Sequence, residues 1–365
     1  MRPRHSPLPL LLLAALAGFL GAHPAPARPS AAAPTPLSLD EIAPGVWAAV
    51  QPPELRFDDA NTLLVPCAER GALLVDPPSE DARLASLIAA IRARGWTVGA
   101  VVATHWHGDH TQGIAAIGSA FGDGVERIGH HTLLEDVPRR AASSHAERVE
   151  LYEREVPAAR VRFEQGVRRD GAPLADADRP AAAAAIERAA AWLEANRDAR
   201  FLAPTLAYQE RLVLHRCGRR IELRHFRAHT RGDTVVHLPD QGVVATGDLL
   251  DDLPYVGHGY PRSWIASLEE IAGWGPAIIV PGHGPVLRGA QKLETVLGFL
   301  RDLAAQAEAA HARGATAEEA KRDLDLSRWR AALANGDPAA ERFFDQTVGE
   351  AIERALLEAA DPELP

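Results

Sequence analysis

Four potential metal-binding side chains are concentrated in six residues, directly after a short apolar stretch that is typical of a buried strand. His105, His107, Asp109 and His110 follow the apolar residues 98–103. Imidazoles two positions apart at a strand end can project towards one point, and the two donors that follow are displaced enough to serve a second point. Converging imidazoles and carboxylates are the donors that protein metal sites use. The cluster therefore predicts a metal site at the end of a buried strand.

Three further donors lie far along the chain in similar settings. His229 lies between two predicted strands, while Asp248 and His283 each follow an apolar stretch. Glycine residues close to each of them let the backbone turn sharply and approach a ligand. Side chains at the ends of successive strands are typical of functional sites in α/β proteins. Because one cluster cannot complete two metal shells, we expect these three residues to supply the remaining ligands.

The order of the predicted elements indicates an α/β (α+β) architecture. Residues 61–76 are predicted to form a hairpin, 79–94 a helix with one apolar face, and 98–103 a buried strand. Residues 131–199 are charged, rich in alanine and helical in pattern, which predicts a helical insertion. Further hairpins are predicted over 211–226 and 234–245, a helix over 263–272 with Ser263 as its cap, and helices from residue 290 onward.

The first residues have the pattern of a secretory signal peptide. Arg2 and Arg4 precede an apolar run from Leu8 to Leu20, and Ala25 to Ala27 offer a small-residue cleavage site. The apolar run is too short for a helix that spans a bilayer. We therefore predict a signal peptide over residues 1–27, a flexible leader over 28–41, and a periplasmic or secreted protein with no stable membrane span after cleavage.

The charge of the chain argues against a nucleic-acid partner. Its formal net charge is −10 at pH 7, whereas proteins that bind phosphate backbones usually carry a basic face. A small-molecule substrate is expected instead.

The two cysteines, Cys67 and Cys217, lie far apart in the sequence. An oxidising compartment would permit a disulfide between them, but no sequence pattern brings them together. Two separate, half-buried thiols are therefore the expectation. Neither cysteine has a spacing that is typical of zinc-binding cysteines.

Together, four motifs resemble the ordered signature of the metallo-β-lactamase superfamily. They are His-x-His-x-Asp-His at 105–110, Ala-His-Thr-x-Gly-Asp at 228–233, Thr-Gly-Asp at 246–248 and Pro-Gly-His-Gly at 281–284. The hairpin that ends at Asp76 also resembles that family's second and third strands. The resemblance implies an αββα sandwich with the site at one edge of the sheets. It predicts a domain over residues 42–290, with the insertion at about 131–199, and C-terminal helices over 291–365.

The resemblance also implies a role for each donor. One metal would be held by His105, His107 and His229, a second by Asp109, His110 and His283, and Asp248 would bridge the two. Two Zn²⁺ ions are the default for such donors, and iron or manganese fit similar sets. A water deprotonated between the metals would attack an ester, thioester, lactone or related bond. Asp109 is expected to orient that water and to pass a proton to the leaving group.

Three functions fit the resemblance. A metal-dependent hydrolase in the broad sense is preferred, because true metallo-β-lactamases generally lack a bridging carboxylate at the position of Asp248, whereas thioesterase-like and lactonase-like members have one. The first alternative is a β-lactamase in the strict sense. The second is a non-catalytic metal-binding envelope protein linked to a periplasmic dehydrogenase system. A nuclease of the superfamily is disfavoured by the predicted export and the acidic charge.

Two aspartates are expected to support the ligands through hydrogen bonds. Asp76 would support the 105–110 cluster and Asp233 would orient His229, with capping of a strand end or a turn as the alternative for each. Trp106 is expected either to line the pocket or to pack in the core.

Other histidines and one tyrosine form a weaker set. One of His130 and His131 could face the site, although exposed positions are the preferred interpretation. Tyr255 and His258, in the glycine- and proline-rich loop after Asp248, are expected to face solvent, with a part in substrate binding as the alternative. The remaining histidines on predicted strands are interpreted as structural: His215, His225 and His237.

Overall fold

Two β-sheets packed face to face form the middle of the molecule in the computed structural model, which describes residues 37–79 and 82–364. The predicted signal peptide and most of the predicted leader lie outside the described residues. The strands are β1 (Asp40–Ala43), β2 (Val46–Ala49), β3 (Thr62–Val65), β4 (Ala72–Val75), β5 (Val98–Val102), β6 (Glu126–His130), β7 (Leu206–Tyr208), β8 (Arg211–Arg216), β9 (Arg219–Phe226), β10 (Asp233–Leu238), β11 (Val243–Gly247), β12 (Ile278–Pro281) and β13 (Leu287–Arg288).

Within the described residues, the strands form one sheet of seven and one of six. The first follows chain order from β1 to β7, and the second has the order β13-β12-β11-β10-β9-β8. Strands β4 to β7 pair in parallel, as do β11 and β12, and the other neighbours are antiparallel. The ends of β5, β11 and β12 consequently open onto the same edge of the sandwich.

Alternation of side chains along the strands explains how each sheet buries both of its faces. In β3, Leu63 and Val65 point into the core between the sheets, where they meet Ile221 and Val236 of the second sheet. Leu64 points to the opposite side, towards the helices that cover the first sheet. Each such side chain that is fully buried contributes about 1.5–3 kcal/mol of hydrophobic free energy, so the sheets are held between three apolar layers.

Helices cover both outer faces of the sandwich and follow the last strand to the C-terminus. They are α1 (Ala82–Ala93), α2 (Gly108–Thr111), α3 (Ile114–Phe121), α4 (Leu133–Asp136), α5 (Ala142–Glu164), α6 (Arg179–Asn196), α7 (Pro261–Gly273), α8 (Gln291–Ala312), α9 (Ala317–Asp323), α10 (Ser327–Ala334) and α11 (Pro338–Ala360). Apolar residues of α1 and α3 pack on the first sheet, and those of α7 to α11 pack on the second sheet or on each other. The α/β class, the helical insertion and the helical C-terminus predicted from the sequence are confirmed.

The helical insertion has a small core of its own. Helices α5 and α6 pack side by side, with Tyr152 and Val156 of α5 buried against Ala189 and Leu193 of α6. A π-helical turn over Val137–Ala141 connects α4 to α5. The insertion therefore projects two long helices next to the short helix α2, which carries Asp109 and His110.

A disulfide joins Cys67 to Cys217, with their Cα atoms 5.5 Å apart, so the expectation of two separate thiols was wrong. Cys67 follows β3, and Cys217 occupies the two-residue turn between β8 and β9. Cys217 and Gly218 both have positive φ, of 48° and 71°, as the tight turn between twisted strands requires. The two turns meet only because the sheets stack face to face, and no local sequence pattern encodes that contact.

No helix within residues 37–79 and 82–364 combines the length and the hydropathy that a membrane-spanning helix needs.

Candidate metal centre

The seven predicted donors converge at one edge of the sandwich. His105 and His107 follow β5, and Asp109 and His110 lie on α2, so the first sheet supplies this part of the cluster. The second sheet supplies the others from three separate connections: His229 lies between β9 and β10, Asp248 follows β11, and His283 follows β12. Residues 105–110 and the three distant donors therefore reach one centre, although the sheets that carry them are different.

His105, His107, His229 and Asp248 form one group that could hold a metal ion, because each offers a ligand atom within 4.8 Å of the others. His107 Nδ1 lies 3.1 Å from His229 Nε2. Asp248 Oδ2 lies 3.5 Å from His105 Nε2 and 3.4 Å from His229 Nε2.

Asp109, His110 and His283 form a neighbouring group with the same property. Asp109 Oδ2 lies 3.1 Å from His283 Nε2 and 3.4 Å from His110 Nε2. The second oxygen of Asp248, Oδ1, faces this group at 3.0 Å from His110 Nε2 and 3.5 Å from His283 Nε2. Asp248 therefore stands between the two groups and presents one oxygen to each.

Whether the buried polar atoms of this cluster have hydrogen-bond partners indicates whether the residues fit a cation. His105 Nε2, His110 Nε2 and Asp248 Oδ1 are buried and find no hydrogen-bond partner among the residues that the structure describes. The 3.0 Å approach of His110 Nε2 to Asp248 Oδ1 is thus a close contact without hydrogen-bond geometry. Since buried polar atoms are normally paired, and imidazole nitrogens and carboxylate oxygens are the usual donors for zinc, the residues fit metal ions.

The electrostatics separate the two groups. Burial raises the pKa of Asp109 and of Asp248, but the surrounding histidines outweigh it and hold both values well below the usual range. Burial lowers the pKa of His283, but the charge of Asp248 and the hydrogen bond with Asp109 outweigh it, and the result is about 10. The second group is therefore a strongly negative position that favours positive charge.

The first group is governed by burial. Burial is the largest cause that lowers the pKa of His105, His107 and His229, and neighbouring histidines lower each value further. These imidazoles therefore stay neutral, which is the form that binds metals.

Backbone carbonyls and one carboxylate hold the rings of three donors. Asp76 Oδ2 accepts from His110 Nδ1 at 2.8 Å, His229 Nδ1 donates to the carbonyl of Tyr255 at 3.0 Å, and His283 Nδ1 donates to the carbonyl of Arg56 at 3.0 Å. Each ring is fixed through Nδ1, so its Nε2 points into the centre.

Asp76 is placed as the sequence hypothesis required. Its Oδ1 accepts from the Thr104 amide at 2.8 Å, and its Oδ2 accepts from the Thr104 hydroxyl at 2.7 Å. The residue has a φ of 50°, a left-handed conformation that non-glycine residues rarely adopt. Three hydrogen bonds therefore keep Asp76 in an unfavourable backbone conformation next to the centre.

Asp233 does not contact the His229 ring, and of the two roles expected for it the contacts agree with capping of the turn. Its carboxylate accepts from the amide and hydroxyl of Thr230, at 2.9 Å and 2.6 Å, and from the amide of Ala228 at 3.2 Å. Asp233 therefore stabilises the turn that carries His229, while the Tyr255 carbonyl orients the ring. In the short turn between β9 and β10, an aspartate carboxylate can accept from nearby backbone amides, which favours this capping geometry.

Two residues of the loop after Asp248, Tyr255 and His258, were expected to face solvent but lie close to the donors instead. Tyr255 is buried, and His258 is half-buried with its Nδ1 2.9 Å from His107 Nε2. Asp251 accepts from the amide of His283 at 2.8 Å, and it forms a further possible metal-binding group with Asp248 and His283. The only sequence signal for these residues was their proximity to Asp248.

The other candidate side chains lie beside the centre or away from it. Trp106 is buried in the apolar layer on the first sheet, and its ring lies 4.4 Å from that of His107. It therefore packs in the core and also lies beside a donor of the centre. His130 stacks on His225 at 3.8 Å, and His131 is exposed. His237 stacks on Trp274 at 4.7 Å, which agrees with a structural position.

One glycine is required for the approach of the two halves of the centre. A Cβ atom on Gly282 would lie 2.1 Å from Asp248 Oδ1, which no side chain could tolerate. The loop before His283 can therefore pass beside Asp248 only because residue 282 is glycine.

The sequence of this chain is similar to the sequences of a known protein family. Residues 55–283 match the model of a family described as the metallo-beta-lactamase superfamily. Over 247 residues the chain is 26% identical to a linear primary-alkylsulfatase of Pseudomonas sp., covering 64% of this chain and 43% of the relative. Over 80 residues it is 36% identical to an atrochrysone carboxyl ACP thioesterase of Passalora fulva, covering 21% of this chain and 24% of the relative.

A solved structure shows the same fold. The metallo-beta-lactamase FIM-1 from Pseudomonas aeruginosa, in a mono-zinc form, superposes with a TM-score of 0.50 at 17% identity, covering 73% of this chain and 96% of that one. The match spans less than half the length of each of the two curated relatives.

Proposed function

Because this chain belongs to the metallo-beta-lactamase superfamily, we propose that it is a metal-dependent hydrolase with two ions at the edge of its sandwich. One ion would be held by His105, His107 and His229, the other by Asp109, His110 and His283, and Asp248 would be shared. Zinc suits these donors best, and iron or manganese are compatible with them.

The position of Asp248 is the observation that carries this proposal. Its two oxygens face different groups of donors, at 3.4–3.5 Å on one side and 3.0–3.5 Å on the other. A buried carboxylate among several imidazoles is costly unless cations or hydrogen bonds compensate it. Two cations that share Asp248 would satisfy all of these donors at once.

When bound, such a pair of cations ionises water at neutral pH and polarises the bond to be hydrolysed. The protein's own part is to fix the donors and to handle protons. Asp109 is, with His107, one of the two donors that are partly exposed: 24% of its side chain is exposed, against 7% for Asp248 and 10% for His283. It therefore faces the side from which a substrate enters, where it can orient the attacking water and pass a proton to the leaving group.

The bond that is cleaved is proposed at the level of its class. An ester, thioester or lactone offers a carbonyl for attack, and the alkylsulfatase and thioesterase among the relatives support testing sulfate esters and thioesters too. With metals bound, Asp248 would add negative charge between them and reduce the charge available to stabilise a developing oxyanion. We therefore prefer this hydrolase over a β-lactamase in the strict sense.

Metal analysis together with a substrate panel tests the proposal. Zinc-loaded protein should hold two equivalents of metal, and Asp248→Ala should lose at least one of them, while the control Asp240→Ala, at an exposed turn position, keeps both. The wild type should hydrolyse at least one of phenyl acetate, an acetyl thioester, a γ-lactone and an alkyl sulfate faster than nitrocefin.

Three results of this test point elsewhere. Less than one equivalent of metal in folded wild-type protein would refute the proposal. Two equivalents with no turnover of any substrate would favour a non-catalytic metal-binding protein, and preferential turnover of nitrocefin would favour a β-lactamase.

We also propose that the protein acts in the periplasm or outside the cell. The disulfide between Cys67 and Cys217 supports this location, because disulfides persist in oxidising compartments and are rare in the cytosol. Cell fractionation of the native host tests it: recovery of the protein with the cytosolic fraction would contradict export.

A further inference from the structure

Helix α5 of the insertion reaches the metal centre from the side of Asp109. It packs against α2, the short helix that carries Asp109 and His110. Phe201 fills the space between them: its ring lies 5.1 Å from that of His145 on α5 and 3.8 Å from where a Cβ on Gly108 would stand. The inward face of α5 is therefore a wall of the space in front of the centre.

Arg148 lies on this inward face, between the buried residues His145 and Tyr152. Its guanidinium carbon is 5.6 Å from the centre of the Trp192 ring on α6, and the residue is half-buried. Many of the other arginines on the described surface have a carboxylate within 4 Å, but among the described residues none is found at that distance from Arg148, and its side chain makes no hydrogen bond there. A half-buried guanidinium without an anionic partner is unfavourable.

The surroundings of Arg148 locate its charge near the mouth of the centre. Burial lowers the pKa of Arg148, while Tyr152, Asp109 and Asp58 oppose that shift. Asp109 is a partly exposed donor of the centre, and Asp58 is exposed on the connection between β2 and β3. The guanidinium is therefore within electrostatic reach of Asp109 and of the connection between β2 and β3, whose Arg56 carbonyl accepts from His283 at 3.0 Å.

We propose that Arg148 determines specificity by binding a negatively charged group of the substrate while the scissile bond lies at the metal centre. This inference rests on the proposed hydrolase function and names its substrate class: esters or related compounds that carry a carboxylate or a sulfate-type group. A guanidinium presents several N–H donors in a planar fork that matches such oxyanions.

The charge balance of the centre favours the same class. Two divalent cations carry four positive charges, and the carboxylates of Asp109 and Asp248 neutralise two of them. Arg148 adds one more in a partly water-excluded setting, where attraction to an anion is stronger than in bulk water. Metal binding therefore makes the surroundings of Arg148 more positive, although the whole chain has a net charge of −10.

A kinetic comparison of two esters tests the role of Arg148. Phenyl hydrogen succinate carries a free carboxylate and phenyl acetate does not, but both share the same leaving group. For Arg148→Gln, KM for the succinate ester should rise about tenfold or more, because a charge-assisted hydrogen-bond pair is lost, with kcat changed by less than about threefold. Both constants for phenyl acetate should stay unchanged.

Two further variants separate charge, geometry and folding. Arg148→Lys keeps the charge without the fork and should give an intermediate KM, and it serves as the test variant if Arg148→Gln does not fold. Arg154→Gln alters an arginine on the same helix whose side chain is 62% exposed, and it should behave as the wild type. Equal KM ratios for the two esters in the wild type and both Arg148 variants would overturn the proposal.

A binding measurement tests the anion site at Arg148 without requiring turnover of a substrate. Calorimetric titration of zinc-loaded protein with hexanoate and with hexanesulfonate distinguishes a carboxylate from a sulfate-type ligand, and the preferred anion should bind about tenfold more weakly to Arg148→Gln. If no substrate of the panel and neither ester is hydrolysed but this difference is found, the hydrolase proposal fails and the anion site stands. If neither anion binds, or both bind the wild type and the variants equally, the anion site is refuted.

Discussion

Asp76 connects the backbone of the first sheet to the metal centre through a single carboxylate. It holds Thr104 by two hydrogen bonds and His110 by a third. Thr104 directly precedes His105, and its carbonyl accepts from the amide of Thr234 in the second sheet at 2.7 Å. One buried carboxylate thus helps to align donors that come from both sheets.

We predict that Asp76→Asn lowers zinc affinity about 10- to 100-fold, the usual effect of losing a group that orients a metal-binding histidine. The amide keeps the volume of the carboxylate but replaces one acceptor oxygen with a donor, so His110 Nδ1–H loses its partner. Competition with a chromophoric chelator measures the change. Asp123→Asn, at an exposed position, is the matched control, and an unchanged affinity for Asp76→Asn would contradict the role.

Residue types at strand ends were sufficient to predict which seven side chains meet. The partners of their Nδ1 atoms were not predictable in the same way. The carbonyls of Tyr255 and Arg56 carry no residue-type signature, since every residue has a carbonyl. His258 and Asp251 are positioned by the path of a loop, which depends on packing against distant helices rather than on local sequence.

At the level of elements, a pair of stacked histidines joins the two sheets. His130 ends β6 in the first sheet and His225 lies on β9 in the second, and their rings are parallel within 4°. Burial, with the neighbouring His225 and His131 acting in the same direction, lowers the pKa of His130 to about 3. The contact therefore requires His130 to be neutral.

We predict that acid weakens this contact. The unfolded chain takes up a proton on His130 near pH 6.5, whereas the folded chain resists it. The stability that neutral His130 contributes is therefore fully present above about pH 6.5 and is lost as the pH falls towards 3. For the metal-free protein, the loss between pH 7 and pH 5 should be up to about 2 kcal/mol larger in the wild type than in His130→Gln.

Urea unfolding of both proteins at the two pH values, with the disulfide intact, measures the difference. His311→Gln is the control, because His311 is exposed on α8. Parallel pH dependence of the wild type and His130→Gln would show that His130 titrates alike in the folded and unfolded chains.

The disulfide is the second element-scale connection, and its removal should be costly. We predict that the double variant Cys67→Ser/Cys217→Ser lowers the free energy of unfolding by about 2–4 kcal/mol, since the bond closes a loop with a sequence separation of 150 residues and restricts the unfolded chain. Urea denaturation measures this, and the wild type treated with a reducing agent should match the double variant. Equal stability before and after reduction would contradict the prediction.

Most strands could be predicted because their apolar runs are bounded by turn residues. The start of α7 differs from the predicted cap at Ser263: the helix begins at Pro261, directly after Tyr260, whose φ is −129°. Proline suits the first helical position, where its missing N–H costs nothing. The pairing of β11 with β12 and the stacking of the sheets depend on contacts between distant residues, so local patterns did not reveal them.

Across the whole molecule, the C-terminal helices hold the loop that supports the metal centre. Tyr255, whose carbonyl orients His229, donates its hydroxyl to Glu350 of α11 at 2.7 Å. Arg354 of α11 donates to the carbonyl of Gly259, and Glu358 accepts from the amide of Arg262 at 3.0 Å. Residues beyond the matched family region therefore take part in positioning the site.

We predict that Tyr255→Phe lowers stability by about 1–3 kcal/mol, because it leaves the half-buried Glu350 carboxylate without the Tyr255 hydroxyl as donor. It should also weaken zinc binding, since the loop that presents the Tyr255 carbonyl to His229 becomes less constrained. Glu350→Gln keeps an acceptor for the hydroxyl and should be milder in both respects. Thermal unfolding and chelator competition measure the two effects, and a Tyr255→Phe variant with wild-type values in both would refute the coupling.

The disulfide lies at the end of the sandwich opposite the metals, because β3 and β9 each run between the two ends. The disulfide therefore links the sheet that carries His105, His107 and His110 to the sheet that carries His229 and His283. Even when the sheets separate transiently, the bond keeps these two sets of histidines at a high effective concentration for one another. A cation released during such an opening should be recaptured more often in the oxidised protein than in the reduced one, so oxidation of two distant thiols should lengthen the time for which a metal is retained.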